Sequence, residues 1–333
     1  MTPRFAFEDF RPGDTMSYAP VLLDEAAIVA FAHDWDPQPF HLDAAAARET
    51  FAGRLIASGW HSCAILMRMI ADAFILDATS LGAPGIEEVR WRAPVLPGTR
   101  IGGAHEVLET RASRSKPQMG LVRFRFRLVD ERDETLLEQV NWILFGRRDA
   151  PAPSPMARPT GTSTPEPLAL EEAAPALPFE ALVPGTREVL GTHCFSADEI
   201  VAFAHAFDPQ LFHVDAEAAA KSRFGGLCAS GWHTNAAFMR TLVAHRRRQE
   251  DAARAAGRIP VRLGASPGFR NLAWSRPVYA GDTITYTSTI VDVRAARSRP
   301  GWGLVRHRNE GVNQDGETVL AFDGAVFWEG AGA

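Results

Sequence analysis

The sequence Phe-Ala-His-Asp-Trp-Asp-Pro-Gln-Pro-Phe-His-Leu-Asp occupies residues 31–43, and Ala-Ser-Gly-Trp-His follows at residues 57–61. A closely similar pair of segments, Phe-Ala-His-Ala-Phe-Asp-Pro-Gln-Leu-Phe-His-Val-Asp and Ala-Ser-Gly-Trp-His, recurs at residues 203–215 and 229–233. Matched positions are separated by 172 residues throughout. The chain therefore contains an internal duplication, and each copy presents the same polar residues at the same spacing.

Each copy combines an acid, a histidine and a glycine. Asp36 lies five residues before His41, and Gly59 follows the histidine by 18 residues, where an apolar helical pattern begins. The second copy repeats these residue types at the same spacing, as Asp208, His213 and Gly231. An isolated acid–histidine pair is common by chance, but its duplication in register favours a catalytic pair over two residues that only hold a loop together.

Composition bounds the class of protein. With 333 residues, of which 46% are hydrophobic and 23% charged, the chain is long enough for two domains of about 150 residues each. A formal net charge of −5 argues against a protein built to wrap nucleic acid. The three cysteines show no disulfide or metal-binding spacing, so we expect no metal site and a reducing, cytoplasmic compartment.

The sequence also predicts no membrane segment. The first ten residues lack a basic stretch followed by an apolar one, so we expect no signal peptide. The most apolar run, residues 55–78, is interrupted by His61, Arg68, Asp72 and Asp77. These interruptions argue against a membrane span.

Local patterns predict the elements of each half. Capping residues and apolar spacing predict a short helix after Asp24 and after Ser196, and Asp43 and Asp215 are interpreted as N-caps of further short helices. Long, mostly buried helices are predicted from Ile56 to about Ala73 and from Leu227 to Val243. Runs rich in β-branched and aromatic residues predict four strands after the first helix, at 86–91, 100–108, 121–129 and 135–145.

The two copies differ in two places. Pro37 and Pro39 predict a stiff, non-helical loop from Asp36 to His41, whereas the second copy has Leu211 in place of Pro39. After the second long helix the offset between copies rises to 183, so eleven extra residues lie within 245–262. Because a stiffer loop is better preorganised, the loop comparison predicts that the first pair contributes more than half of any activity.

Domain organisation follows from the repeat. Residues 1–148 and 179–333 form the two copies, and residues 149–178, rich in Pro, Ala, Ser, Thr and Glu, are predicted to be a poorly ordered linker. A strand, a long helix and then antiparallel strands indicate an α+β unit in which the helix covers one face of a curved sheet. Two such units would pair their sheet edges and form a pseudo-dimer within one chain.

The duplicated motif resembles that of the MaoC-like, R-specific enoyl-CoA hydratases and 3-hydroxyacyl dehydratases. Their motif, Asp-x-Asn-Pro-x-His, matches residues 36–41 well and residues 208–213 less well, with Gln38 and Gln210 at the asparagine position. The resemblance covers nearly all of each half. It implies two tandem hot-dog domains, each a long helix wrapped by an antiparallel sheet.

The resemblance also implies roles for the duplicated residues. The Asp and His would act on one water, and a backbone N–H at the start of the long helix would polarise the thioester carbonyl. By position these residues are Asp36, His41 and Gly59, with Asp208, His213 and Gly231 in the second copy. Adding water to an enoyl thioester requires a base, an acid for the α-carbon and a donor for the enolate oxygen, which these groups would supply.

Basic and aromatic residues near the motifs are candidates for substrate binding. Three basic residues per copy could form a rim for the phosphates of coenzyme A, or could be a solvated strand connection: Arg111, Arg114 and Lys116, and Arg294, Arg297 and Arg299. Trp60 and Trp232 are interpreted chiefly as packing residues that could also line an acyl pocket. His61 and His233 are interpreted as packing or hydrogen-bonding residues.

The sequence thus predicts an enzyme that reversibly hydrates trans-2-enoyl thioesters to (R)-3-hydroxyacyl thioesters, with coenzyme A or phosphopantetheine as part of the substrate. No metal or redox cofactor is expected. A hot-dog acyl-CoA thioesterase and a non-catalytic acyl-thioester-binding protein remain alternatives. Acyl chain length, the carrier, the direction, and whether two such chains pair as a homodimer are left open.

Overall fold

A computed structural model describes residues 3–151, 154–156 and 172–332. Within the predicted linker, residues 152–153 and 157–171 lie outside the described residues. Two described parts of that segment make contacts with the second half. The amide of Met156 donates to the carbonyl of Arg223 at 2.8 Å, and the indole N–H of Trp328 donates to the carbonyl of Leu177 at 2.9 Å.

Each half contains a strand, four helices and four further strands. The first half contains β1 (Thr15–Leu23), α1 (Glu25–Trp35), α2 (Pro39–Leu42), α3 (Ala44–Arg48), α4 (Gly59–Ala73), β2 (Gly85–Trp91), β3 (Thr99–Ala112), β4 (Met119–Val129) and β5 (Thr135–Gly146). The second half contains β6 (Arg187–Cys194), α5 (Ala197–Phe207), α6 (Leu211–Val214), α7 (Ala216–Lys221), α8 (Gly231–Ala255), β7 (Gly268–Trp274), β8 (Thr283–Ala295), β9 (Trp302–Val312) and β10 (Thr318–Glu329). The predicted helices and strands are therefore present in both copies.

The two halves share one antiparallel sheet of ten strands, in the order β1-β3-β4-β5-β2-β7-β10-β9-β8-β6. They meet where β2 pairs with β7, with Ile86 opposite Leu272 and Val89 opposite Phe269. Each half thus covers the sheet edge of the other, because an unpaired edge strand leaves backbone groups unsatisfied. The predicted α+β class and the double hot-dog pseudo-dimer are confirmed.

The long helices α4 and α8 lie against the concave face of this sheet. Side chains of β4 and β5 alternate between buried and partly exposed, as expected for strands with one face on the core. By length and composition, residues Gly59–Asp77 could cross a membrane, with a mean hydropathy of 1.2. This helix is 67% buried inside the protein, which is the position of a core helix.

The loop around each acid–histidine pair differs from the prediction. Residues 36–38 are non-helical as expected, but Pro39 begins α2, so His41 is helical and that part of the prediction is wrong. Proline is compatible with this position because the first amide of a helix needs no intrahelical acceptor. The second copy forms the equivalent helix α6 with Leu211 at its start, so the two loops have similar backbones.

The N-caps follow the sequence prediction. Asp43 accepts the amide of Ala46 at 2.7 Å and caps α3, and Asp215 accepts the amides of Glu217 and Ala218 and caps α7. These two carboxylates are occupied by helix amides, which agrees with their interpretation as structural residues.

The eleven extra residues of the second copy mostly lengthen a helix. Helix α8 ends at Ala255, twelve residues beyond the predicted end at Val243. Its added turns contact β6, where Arg246 pairs with Glu188 at 2.9 Å. Arg247 on the same extension donates to the carbonyl of Pro37 in the first copy's catalytic loop. The insertion therefore reaches the first site, although it follows the second in sequence.

Candidate active site

The first acid–histidine pair lies between the end of α1 and the start of α2. Asp36 and His41 are both buried, and their closest side-chain atoms, Oδ2 and Nε2, are 3.4 Å apart. Gln38 donates to Oδ1 of Asp36 at 2.8 Å, and Ser58 donates to Oδ2 at 2.6 Å. His41 donates from Nδ1 to the carbonyl of Ile56 at 2.8 Å.

The second pair has the same geometry. Asp208 Oδ2 and His213 Nε2 are 3.5 Å apart, and both residues are buried. Gln210 donates to Asp208 at 2.9 Å and Ser230 donates to it at 2.6 Å. His213 donates from Nδ1 to the carbonyl of Cys228 at 2.7 Å. The structure therefore brings together the acid and histidine of each copy, as the sequence predicts.

These hydrogen bonds fix the chemistry of the pair. A carbonyl oxygen can only accept, so Nδ1 of His213 carries its proton and Nε2 of the neutral ring has a free lone pair. That lone pair faces an oxygen of Asp208 at a distance longer than a direct hydrogen bond. Two acceptors at this separation can share one water, which donates a proton to each. Histidine is then placed to remove a proton from that water.

Burial and hydrogen bonding set the charge of each group. Burial opposes ionisation of Asp36, but the charge of His41 and hydrogen bonds from His41, Ser58 and Gln38 lower the pKa of this carboxyl below its usual value. Burial lowers the pKa of His213, and the charge of Asp208 and the Cys228 carbonyl only partly offset this effect. An ionised acid and a neutral histidine are the forms required to hold and activate a water.

The thiol beside the second pair is not a nucleophile. Cys228 Sγ lies 3.8 Å from Nδ1 of His213. Burial and the charge of Asp208 raise the pKa of Cys228 to about 12, so the thiol is protonated at neutral pH. The thiolate is the reactive form of cysteine, which argues against a Cys–His mechanism here.

The glycines begin the two long helices beneath a tryptophan. A Cβ on Gly59 would lie 2.5 Å from Trp91, and a Cβ on Gly231 would lie 2.4 Å from Trp274. Ser58 and Ser230 are the N-caps, so each glycine amide is the first of its helix and has no intrahelical acceptor. These amides and the positive end of the helix dipole are suited to an oxyanion.

A cavity of about 310 Å³ opens beside the second pair. Asp208, His213, Gly231 and Trp232 line it from the second half. The first half contributes apolar residues of α4 and β2 together with polar residues of β5, as Met67, Ile70, Ile86, Gln139 and Asn141. The cavity therefore lies between the halves, and the reactive residues of one face the sheet of the other.

The equivalent space beside the first pair is filled by aromatic rings. Trp60 stacks on Phe269 with ring centroids 4.9 Å apart, and its edge meets Phe322 at 5.8 Å. Phe269 and Phe322 occupy the positions that Ile86 and Gln139 hold in the other half, at the offset of 183 residues. Replacement of an isoleucine and a glutamine by two phenylalanines explains why the first site packs closed where the second is open.

The predicted binding residues have different outcomes. Trp60 packs and Trp232 lines the cavity, so each tryptophan follows one of its two interpretations. Burial lowers the pKa of His61 to about 3 and that of His233 well below its usual range, so both rings stay neutral. They stack on Phe31 and Phe203 respectively, as expected for packing residues.

The basic residues lie at the β3–β4 and β8–β9 turns, outside the lining of the cavity. Arg111 is exposed and its guanidinium lies over Trp142 at 4.9 Å. Two of its counterparts are also engaged, since Arg294 pairs with Asp292 at 2.7 Å and Arg299 lies over Trp302 at 4.2 Å. Arg114, Lys116 and Arg297 are exposed. Their role as a phosphate rim stays a prediction.

Several residues of the site were missed by sequence reasoning. Ser58 and Ser230 orient the acids, and they lie inside the repeated Ala-Ser-Gly-Trp-His segment, so the repeat itself marked them. Arg223, which donates to the carbonyl of Leu81 at 2.7 Å and lines the cavity, has no such mark because Phe51 occupies its position in the first copy. Gln139 and Asn141 were missed because they lie far along the chain in a strand.

One group of side chains has ligand atoms close enough for a metal ion: His193, Glu199 and His233. His193 is already hydrogen bonded to Glu199 at 2.9 Å. The guanidinium of Arg240 lies 4.0 Å from the same carboxylate, which opposes binding of a second cation. This group is separate from the acid–histidine pairs.

Comparisons with known proteins agree with this geometry. Residues 8–123 and 180–307 match the family described as MaoC like domain. Mesaconyl-CoA hydratase from Cereibacter sphaeroides is 23% identical over 318 residues, which are 91% of this chain and 87% of that protein.

Two solved structures are similar in fold along the whole chain. A putative MaoC domain protein dehydratase from Chloroflexus aurantiacus has a TM-score of 0.76 at 19% identity, covering 100% of this chain and 99% of its own. A conserved hypothetical protein from Mycobacterium tuberculosis with a double hot-dog fold has a TM-score of 0.68 at 16% identity, covering 97% and 98%.

Proposed function

Because this chain belongs to the MaoC-like domain family, we propose that it reversibly adds water to trans-2-enoyl thioesters, giving 3-hydroxyacyl thioesters, and that the second copy performs the reaction. The observation that carries the proposal is the meeting of Asp208, His213 and Gly231 at one cavity. The cytoplasm and a coenzyme A or phosphopantetheine carrier belong to the same proposal.

The residues support a specific sequence of events. Asp208 and His213 hold one water, and Nε2 of His213 takes a proton from it while the oxygen adds to the β-carbon. The electron pair of the double bond moves onto the thioester oxygen, which the amide of Gly231 stabilises. His213 then returns the proton to the α-carbon. The reverse sequence eliminates water, and concentrations of substrate and product decide the direction.

The choice of the second copy reverses the expectation drawn from the loops. That expectation depended on a stiffer first loop, whereas both loops form the same short helix. Only the second pair, among the described residues, faces the 310 Å³ cavity, and Phe269 and Phe322 pack against Trp60 at the first. A bound acyl group needs space beside the reactive pair, so packing outweighs loop composition.

Incubation with crotonyl-CoA tests the proposed reaction. We expect the enoyl absorbance to fall without release of free thiol. Release of thiol would instead indicate the hydrolysis expected of a thioesterase, and binding without either change would indicate a non-catalytic protein. The matched control is the doubly substituted Asp36→Asn, Asp208→Asn protein, which should remain folded and be inactive.

A further inference from the structure

Two neutral amides lie in the wall that the first half contributes to the second copy's cavity. Gln139 and Asn141 are 3% and 2% exposed, and both side chains line the cavity. The remainder of this wall, including Met67, Ile70 and Ile86, is apolar. A pocket for a plain hydrocarbon chain has no use for buried amides, because burying a polar group without a partner costs free energy.

One atom of this pair lacks a partner. Gln139 donates from Nε2 to Oδ1 of Asn141 at 2.9 Å, while its own Oε1 has no hydrogen-bond partner among the described residues. The amide of Asn141 points toward the carbonyl of Trp142 at 3.4 Å. Since that carbonyl can only accept, it fixes the orientation of Asn141 and through it that of Gln139. The cavity therefore presents a carbonyl oxygen that seeks a donor.

The other half of the molecule supports a selective role. The residues equivalent to Gln139 and Asn141 are Phe322 and Gly324, which pair with β9 in the same register. Fold and strand pairing thus do not require amides at these positions. They are found in the half whose sheet faces the open cavity.

The charge of the wall restricts the ligand group. A buried carboxylate needs a cationic partner, and the arginines that line the cavity are engaged elsewhere: Arg223 with the Leu81 carbonyl and the Phe224 ring, and Arg276 with Glu317 at 3.0 Å. The free Gln139 oxygen would repel an anion. An uncharged hydroxyl both donates to Oε1 and keeps the wall neutral.

We infer that the acyl group taken by the second site carries a hydroxyl beyond its reacting double bond, and that Gln139 accepts its proton as a specificity-determining residue. This inference rests on the proposed function. It identifies a class of substrate, hydroxylated enoyl thioesters, and not one compound.

Paired substrates test the inference. Pent-2-enoyl-CoA and hex-2-enoyl-CoA are compared with their terminally hydroxylated counterparts and with carboxylates of matching length. We expect wild-type kcat/KM to favour a hydroxylated member by about tenfold over its alkyl partner, since a neutral hydrogen bond contributes about 1 kcal/mol. In Gln139→Leu the preference should vanish or reverse, while turnover of the alkyl partner is kept.

Three results would overturn the inference. They are equal kcat/KM for hydroxylated and alkyl partners at both lengths, a preference for the carboxylate, and an equal loss for every thioester in Gln139→Leu. The last would mean that Gln139 contacts the shared carrier arm. Gln139→Met, which keeps the volume more closely, serves as the packing control and should behave like Gln139→Leu.

A binding measurement separates this inference from the proposed reaction. Calorimetry with the saturated hydroxyacyl-CoA and acyl-CoA of matching length needs no turnover. A hydroxyl preference that is lost in Gln139→Leu would support the inference even if no enoyl thioester were hydrated. Hydration of enoyl thioesters with no hydroxyl preference in binding would support only the proposed function.

Discussion

Trp60 and Trp232 hold equivalent positions at the start of α4 and α8, yet Trp60 stacks on Phe269 whereas Trp232 borders a cavity. The acid–histidine distances beside them, 3.4 and 3.5 Å, are nearly the same. Both acids are held by a glutamine and a serine. The comparison teaches that the reactive residues can be preserved in both copies while the opposite half decides which copy has room for a substrate.

The largest expected effect is the loss of one acid. Asp208→Asn should lower kcat/KM for a short enoyl-CoA by about 10³-fold, within the range typical of general acid–base residues, whereas Asp36→Asn should keep more than half of the activity. Steady-state hydration assays on both variants measure this. The comparison fails if Asp36→Asn abolishes turnover and Asp208→Asn does not.

Closing the start of the helix should affect both copies in stability and one in activity. Gly59→Ala and Gly231→Ala each place a methyl group under 3 Å from a tryptophan ring, which should lower the free energy of unfolding by about 1–3 kcal/mol. Only Gly231→Ala should lower turnover strongly, by about 100-fold, because it disturbs an oxyanion donor. Urea unfolding and kcat measured well below each unfolding temperature check both parts. Equal activity losses would argue for two working sites.

The pH profile should report the second histidine. Burial lowers the pKa of His213, so the ring stays neutral below the usual value of about 6.5 and kcat/KM should fall about tenfold per pH unit only below the lowered pKa. Stability follows the same sign, since the unfolded chain binds more protons between the two pKa values. It is fully present above about pH 6.5 and is lost as pH falls through the folded pKa. Asp36→Asn should leave the acid limb of kcat/KM unchanged, and a shifted limb would assign it to the first pair.

Opening the first site sharpens the comparison. In the Asp208→Asn background, the double change Phe269→Ile, Phe322→Gln gives the first copy the residues that Ile86 and Gln139 supply to the second. Residual hydration should rise about tenfold if lack of space is what silences the first pair. A folded protein with no gain would show that another feature, such as the contact of Arg247 with Pro37, keeps that site inactive.

The smallest effect concerns the exposed basic residues. Replacing Arg111, Arg114 and Lys116 by Ala should raise KM for coenzyme A thioesters a few-fold at low ionic strength, and less at about 0.15 M salt, where exposed charges are screened within about 8 Å. The matched control is the same change at Arg294, Arg297 and Arg299. An unchanged KM at low salt would leave the first three as a solvated strand connection.

Local patterns carried much of the fold. The caps at Asp43 and Asp215 and the alternating strands depend on contacts between near neighbours in the chain, so their chemistry is visible in short segments. The end of α8 was predicted too early because its polar extension is held by Glu188 on β6, a contact that no local pattern shows.

The sequence by itself determined the duplication, the α+β pseudo-dimer and the two reactive pairs, because spacing and residue type repeat along the chain. Only the tertiary structure decided which pair faces a cavity. That outcome depends on β2 and β5 lying opposite Asp208, and on β7 and β10 lying opposite Asp36, so that Gln139 and Phe322 act on sites in the other half of the chain. Packing between distant segments fixes volume and polarity together, and neither can be seen from the motif that does the chemistry.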